Sequence, residues 1–114
     1  MAEPIESYEL REYVTADGRS PFADWLEGLR DRRARARVET RLARVRLGNL
    51  GDYRLVGEGV HELRIFYGPG YRVYFGFESN RVVLLLVGGV KGTQRRDIAT
   101  AKSYWADYWS RDDA

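Results

Sequence analysis

Two predicted strands, 60–67 and 71–78, carry arginine, tyrosine and glutamate side chains that alternate with apolar ones. A Gly-Pro-Gly segment, 68–70, separates the two strands and predicts an antiparallel hairpin with a three-residue loop. In that register Tyr67 lies opposite Tyr71, because pairing resumes directly after the loop. One face of the hairpin is then almost wholly apolar, and the other face is polar.

The polar face of this hairpin is the clearest candidate for a chemical site. Arg64 lies opposite Tyr74 in this register. Phe66 lies opposite Arg72, and Glu62 is close by. The planar guanidinium group of arginine binds two phosphate oxygens at once, and a tyrosine can stack on a base or hydrogen-bond a sugar. The pattern therefore indicates a phosphate site, and a solvated sheet face is the alternative that shows the same alternation.

The apolar face of the hairpin predicts part of the core. It pairs Ile65 with Val73 and Leu63 with Phe75, and we expect all four to be buried together with Leu42. The only histidine, His61, pairs with Phe77 on this same face. A structural role is therefore the favoured interpretation for His61.

A second basic feature is a helix predicted over about 31–47, with the apolar stripe Ala34, Val38, Leu42 and Val45. Eight arginines between positions 30 and 46, against two acidic residues, give this segment a net charge of +6, so the rest of the chain carries −4 of the total +2. Spacings of three and four place one set of these arginines on a single helix face. The set is Arg30, Arg33, Arg37, Arg41 and Arg44.

Such a stripe of like charges repels itself unless an anion relieves it. Contact with RNA through Arg33, Arg37, Arg41 and Arg44, or contact with an acidic protein segment, is one interpretation. A solvated helix face balanced by acidic neighbours is the other interpretation, and the sequence favours neither.

Strands and helices alternate in a way that predicts one α+β domain over residues 1–114. The remaining elements are a first strand, a short helix that begins at Ser20-Pro21, a glycine-containing loop with some extended structure, a last strand and a last helix. We expect two helices on one face of an antiparallel sheet and the C-terminal helix at its edge or end. The first strand is predicted over 8–14, the short helix over 21–29, the loop over 49–59, the last strand over 81–88 and the last helix over 93–109.

Composition excludes several classes of site. The chain has no cysteine and one histidine, which excludes disulfides, thiolate zinc sites and cysteine nucleophiles and leaves an imidazole metal site improbable. We therefore expect no metal and no cofactor. The first residues lack the basic start and apolar run of a signal peptide, and the longest apolar run, 82–87, is too short to cross a bilayer. A cytoplasmic protein without a membrane partner is expected.

Four short motifs occur in a fixed order along the chain. They are Leu-Arg-Ile at 63–65, Gly-Tyr-Arg-Val-Tyr-Phe at 70–75, Gly-Val-Lys-Gly-Thr-Gln at 89–94, and Asp97-Ile98 followed by Ala101. In this order and spacing they resemble the RelE/ParE toxin superfamily, most of all its phage-derived, HigB-like "addiction module killer" branch. The resemblance covers about residues 8–107.

The resemblance implies a RelE-like β-α-α-β-β-β-α fold with a twisted, mainly antiparallel, four-stranded sheet. It also implies the toxin of a type II toxin–antitoxin system, an endoribonuclease that cuts messenger RNA on the ribosome without a metal, by attack of the RNA 2′-hydroxyl on the neighbouring phosphate. Arg72 matches the phosphate-contacting arginine of such toxins, and Arg64 lies near the same cluster. Lys91 matches the basic residue after the last strand, which neutralises phosphate or transfers a proton. The implied partners are the ribosome, messenger RNA and an antitoxin with a helix-turn-helix DNA-binding domain.

One departure from the family pattern leaves the general acid and base open. Some members carry a catalytic tyrosine in the first turns of the last helix, where this chain has Asp97-Ile98-Ala99. Tyr74, Tyr71, Glu62 and Asp97 are the candidates that remain. Two other functions share the expected fold, a ParE-like inhibitor of DNA gyrase and a non-catalytic module acting in a repressor complex with the antitoxin. The cations Arg64, Arg72 and Lys91 favour RNA cleavage.

Overall fold

Five strands and three α-helices follow one another along residues 7–112, the part of the chain that the computed structural model describes. A 3-10 turn, Lys91–Thr93, leads into the last helix. The elements are β1 (Glu9–Glu12), α1 (Pro21–Glu27), α2 (Arg32–Arg46), β2 (Tyr53–Gly57), β3 (Val60–Ile65), β4 (Tyr71–Phe77), β5 (Val82–Val90) and α3 (Gln94–Asp112).

The first two helices begin at the residues that the sequence predicts. Ser20 caps α1 by accepting a hydrogen bond from the backbone N–H of Ala23, and Pro21 occupies the first turn, where no N–H is needed. The carboxylate of Asp31 caps α2 in the same way, accepting from the first free N–H groups of that helix. These local signals, together with the apolar stripes, fix both helices.

The sheet has five strands in the order β1-β5-β4-β3-β2, with β1 parallel to β5 and every other pair antiparallel. The α+β prediction is confirmed, and the four-stranded sheet is wrong. The additional strand is β2, which lies within the segment 49–59, where the sequence predicts a loop with some extended structure and no defined strand. A two-residue turn joins β2 to β3, and both of its residues, Glu58 (φ 54°) and Gly59 (φ 83°), are left-handed. Such a turn usually carries asparagine or glycine at its first position, so the glutamate conceals it.

The predicted register of the β3–β4 hairpin is also wrong. The structure pairs Arg64 with Arg72 and Ile65 with Tyr71, a shift of two residues from the prediction. The loop contains residues 66–70 instead of 68–70, because the backbone N–H of Tyr67 bonds the carbonyl of Ile65 and the chain leaves the ladder early. Since side chains alternate with a period of two, a shift of two leaves every residue on its predicted face.

Helices cover both faces of the sheet. On one face α1 and α2 pack over a core that contains all five residues predicted to be buried, namely Leu42, Leu63, Ile65, Val73 and Phe75. On the other face α3 packs over Val60, Tyr74, Leu84 and Leu86. The expectation that the C-terminal helix lies at the sheet edge or end is therefore wrong. The second face of the sheet is apolar enough at these positions to require a helix of its own.

Two tryptophans lie directly on glycines of the central strands. A Cβ atom added at Gly88 in β5 would lie 2.1 Å from Cε3 of Trp25 in α1. One added at Gly76 in β4 would lie 2.4 Å from Cζ3 of Trp105 in α3. Each glycine therefore lets an indole ring pack flat against the backbone of the sheet. Within the described residues, none of the helices combines the length and the apolar character that a bilayer crossing requires.

Replacing Gly88 by alanine is expected to destabilise the protein by about 1–3 kcal/mol, because the new methyl group displaces the Trp25 ring. Urea unfolding followed by tryptophan fluorescence measures the change. Gly92→Ala is the matched control, since a Cβ atom there meets nothing within 4 Å. Equal urea midpoints for Gly88→Ala and the wild type would contradict the packing of Trp25 on β5.

Candidate functional site

The backbone positions of three basic residues are neighbours at one corner of the sheet, where β3 ends, β4 begins and β5 ends. Arg64 pairs with Arg72, and Arg72 pairs with Gly89, so the Cα atoms of each pair lie ~5 Å apart. Lys91 follows β5 directly, and its backbone N–H donates a 2.8 Å hydrogen bond to the carbonyl of Gly70. The prediction that Arg64 and Arg72 share one face of the sheet is confirmed.

A buried carboxylate lies beside this corner. Glu62 is 0% exposed, and its two oxygens accept from four side chains. Oε1 accepts from Nε of Arg54 at 3.1 Å and from Nη1 of Arg72 at 3.5 Å. Oε2 accepts from the hydroxyl of Tyr74 at 3.0 Å and from Nε2 of Gln94 at 2.8 Å. The donors come from β2, β4 and α3, so this network ties three elements to β3.

Arg72 is enclosed rather than displayed on an open strand surface. Only 10% of its side chain is exposed, because α3 covers this face of the sheet. Removing this side chain would therefore empty space inside the protein. Its Nε atom is buried and donates to no other group of the described residues. One edge of the guanidinium thus contacts Glu62, while the Nε position keeps an unused donor.

Tyr74 is fully buried under α3, and its hydroxyl donates to Glu62. Burial raises the pKa of Tyr74 above its ordinary value, and the Glu62 carboxylate raises it further, so the phenol stays neutral. A ring that is 0% exposed presents no face to a base. Base stacking, one role predicted for Tyr74, therefore does not fit this structure, whereas holding the Glu62 carboxylate does.

The segment 89–94 fits closely against the start of α3. A Cβ atom at Gly89 would lie 1.9 Å from Oδ2 of Asp97, so only glycine leaves room for this carboxylate. Thr93 donates its hydroxyl proton to Asp97, and Gln94 reaches Glu62. These contacts fix the turn that presents Lys91, whose side chain is exposed. Gln94 was not predicted as a site residue. Its place at the end of the Gly-Val-Lys-Gly-Thr-Gln motif is the signal that could have identified it.

The arginines of α2 line a groove of about 820 Å³ that also contains Arg64 and the loop after β3. Arg33, Arg37, Arg41 and Arg44 all line this groove. The sequence placed these four on one helix face, but it did not place Arg64 of the sheet among them. The groove therefore connects the basic helix to the basic corner of the sheet through Arg64. We call the space between α2 and the end of β3 the arginine groove.

Arg41 differs from the other arginines of the groove. Its Nη1 donates to the carbonyl of Leu50 at 2.6 Å, and its Nη2 donates to the carbonyl of Asp52 at 3.1 Å. Its guanidinium lies against Gly51 (φ 62°), where a Cβ atom would be 2.6 Å from Nη2. Arg41 thus braces the floor of the groove, whereas the side chains of Arg33, Arg37 and Arg44 are exposed.

His61 belongs to an aromatic cluster on the α1/α2 face of the sheet. Its ring stacks on Phe75 and contacts Tyr53 and Phe77. Burial lowers the pKa of His61, which favours the neutral imidazole. The prediction that His61 lies on the core face of the hairpin is confirmed, and the residue is half-buried there. Among residues 7–112 no three His, Asp or Glu side chains are grouped so that they could hold a metal ion.

No protein-family model matches the chain. A protein of Haemophilus influenzae (strain Rd) is 46% identical to it over 81 residues. The matched segment covers 71% of this chain and 82% of the Haemophilus protein, which is described as an uncharacterized protein.

Proposed function

The chain belongs to the same family as the Haemophilus influenzae protein, and because that protein's name states no activity, we propose a function from the site itself. We propose that this protein is the toxin of a type II toxin–antitoxin pair, an endoribonuclease that cuts messenger RNA on the ribosome in the cytoplasm. The observation that carries the proposal is the meeting of Arg64, Arg72 and Lys91 at one sheet corner, continuous with the arginine groove.

The proposed cleavage reaction depends on cationic side chains that are fixed beside the phosphate rather than on a metal ion. In this reaction the 2′-oxygen bonds to the adjacent phosphorus, the bond to the 5′-oxygen breaks, and the products are a 2′,3′-cyclic phosphate and a 5′-hydroxyl end. The 2′-hydroxyl loses its proton, and the leaving oxygen gains one. The phosphorane formed between these steps carries extra negative charge, which donors fixed before the reaction stabilise most effectively. Strand pairing fixes the backbone positions of Arg64 and Arg72, and the Glu62 carboxylate holds the Arg72 guanidinium. Lys91 follows β5 directly with an exposed side chain.

Glu62 orients Arg72 in this proposal and does not accept the proton of the 2′-hydroxyl. Both of its oxygens already accept hydrogen bonds from four donor groups. Because Glu62 is 0% exposed, neither oxygen is open to a 2′-hydroxyl. Its contact with Nη1 of Arg72 instead sets the plane of the guanidinium.

The proposal is tested first by inducing the protein in cells and following translation and plasmid supercoiling together. Arrest of translation with cut messenger RNA is the expected first event. Loss of supercoiling before translation would replace the proposal with gyrase inhibition, and no effect on either would leave a non-catalytic module of a repressor complex. Co-expression of a helix-turn-helix antitoxin should relieve the arrest.

Arg64→Ala and Lys91→Ala are each expected to slow cleavage by about ten- to a hundredfold, since a hydrogen bond to a charged group contributes about 1.5–3 kcal/mol. Neither side chain is enclosed, so both variants should fold normally. Primer extension on ribosome-bound messenger RNA measures the rate. Arg81→Ala is the control, because this exposed arginine lies before the opposite end of β5. Wild-type cleavage by both corner variants would contradict the proposed site.

A further inference from the structure

The loop between β3 and β4 exposes a phenyl ring at the rim of the arginine groove. Phe66 is 78% exposed, the highest exposure of any large hydrophobic side chain among residues 7–112. The guanidinium carbon of Arg64 lies 5.8 Å from the centre of its ring. Because the ring stays exposed at the rim of a groove lined by cations, a ligand bound in that groove can contact both the ring and the guanidinium groups.

The neighbouring residue Tyr67 shows how the loop is held while Phe66 stays outside. The Tyr67 hydroxyl donates to Oδ2 of Asp31 at 3.2 Å, and the guanidinium carbon of Arg37 lies 4.8 Å above its ring. These contacts attach the loop to the start of α2. Phe66 therefore extends from an anchored loop. Because the loop is already held in place, it loses little conformational entropy when a ligand binds.

The charge of the groove specifies an anionic ligand. Five arginines line it, and Asp52, whose carboxylate accepts from Nη2 of Arg64, is the one acidic residue among its lining residues. A volume of about 820 Å³ falls in the range of ligand sites, which is large enough for part of a nucleic-acid strand. Arginine beside an exposed aromatic ring is the combination that binds single strands, whose phosphates pair with cations and whose bases stack.

We propose that the arginine groove binds single-stranded RNA and that Phe66 stacks on one unpaired base of that strand. Arg33, Arg37 and Arg44 pair with its phosphates, and Arg64 leads the strand toward the corner that holds Arg72 and Lys91. The assignment deepens the proposed ribonuclease function, on which it rests for the identity of the ligand. An acidic protein segment would match the charge equally well, and its binding is one outcome of the test below.

Binding is measured apart from cleavage with a fluorescent oligonucleotide of 2′-O-methyl RNA, which cannot supply the attacking hydroxyl. Fluorescence anisotropy with the purified full-length chain gives the Kd. Phe66→Ala is expected to weaken binding by about tenfold, the effect of losing one stacked base. Phe66→Trp should restore it. Leu55→Ala is the matched control, since Leu55 is 61% exposed on β2 and outside the groove.

The phosphate contacts have a separate readout. A variant with Arg33, Arg37 and Arg44 replaced by glutamine is expected to bind with a smaller salt dependence, because each lost phosphate contact reduces the slope of log K against log salt by about 0.7. If this variant and Phe66→Ala both bind the oligonucleotide with wild-type affinity and wild-type salt dependence, the groove assignment is overturned. Binding of polyglutamate with no binding of the oligonucleotide would overturn it in favour of a protein partner.

These outcomes separate the groove from the proposed activity. Groove-dependent binding without cleavage of ribosomal messenger RNA supports the RNA site and removes the ribonuclease function. Cleavage by the wild type with no effect of Phe66→Ala or the arginine variant on binding keeps the ribonuclease function and removes the site.

Discussion

Glu62→Gln is expected to lower the free energy of unfolding by about 3–5 kcal/mol, because it leaves the enclosed Arg72 without its carboxylate. The substitution keeps the size of the side chain and removes only its charge. The new amide group also directs N–H donors toward the hydroxyl of Tyr74 and the amide of Gln94, which themselves donate to this position. Urea unfolding of the purified protein measures the loss, which is a large fraction of the stability of an ordinary domain.

A control and a double variant make this prediction specific. Glu58→Gln removes a carboxylate that is 75% exposed, so its effect should stay within about 0.5 kcal/mol. Glu62→Gln combined with Arg72→Gln removes both charges, and the double variant should lose less stability than the sum of the two single losses. Additive losses, or a Glu62→Gln protein as stable as the wild type, would show that the pair does not interact as the structure places it.

The faces of the central hairpin could be predicted because they depend on alternation alone. Arg64 and Arg72 remain on one face under the predicted register and under the observed one, which differ by two residues. The register itself depends on how many residues leave the ladder at the turn. Phe66 and Tyr67 have the composition of a strand, and the contact between Tyr67 and Asp31 that draws them into the loop links positions distant in sequence.

The burial of the site could not be predicted, because it depends on where the last helix packs. The sequence predicts the last helix without identifying which surface of the sheet it covers. In the structure α3 lies on the face that carries Tyr74, and Trp105 contacts Gly76 there. The same packing brings Gln94 to Glu62 and encloses Arg72. The strand surface that carries Glu62, Arg72 and Tyr74 is therefore enclosed.

Only the wall of the arginine groove that α2 forms could be predicted from the sequence. Periodicity places Arg33, Arg37 and Arg44 on a single face of α2, but it does not indicate what lies opposite them. The opposite wall depends on the connection from α2 to β2, which Arg41 braces through the carbonyls of residues 50 and 52. That wall includes Phe66, whose exposure no pattern in the sequence indicates.

Arg72→Lys is expected to slow cleavage of ribosome-bound messenger RNA by about a hundred- to a thousandfold while the protein remains folded. Alanine is the wrong substitution here, since it would leave Glu62 buried without one of its cations. Lysine keeps a positive charge beside Glu62 but lacks the planar group that holds a carboxylate and a phosphate at the same time. Removing one donor that is fixed toward the developing charge has an effect of this size, about 3–4 kcal/mol.

The rate is measured in a single turnover, with purified protein in excess over ribosomes stalled on one message, so that product release does not mask the chemical step. Unfolding in urea is followed on the same preparations. Arg81→Lys, an exposed substitution of the same kind at the far end of β5, should cleave at the wild-type rate. The double variant Arg72→Lys/Arg64→Ala is compared with the two single variants. If Arg64→Ala lowers the rate less in the Arg72→Lys protein than in the wild type, the two arginines act on one phosphate. Wild-type cleavage by a folded Arg72→Lys protein would mean that any charge at this position suffices and that Arg72 only neutralises Glu62.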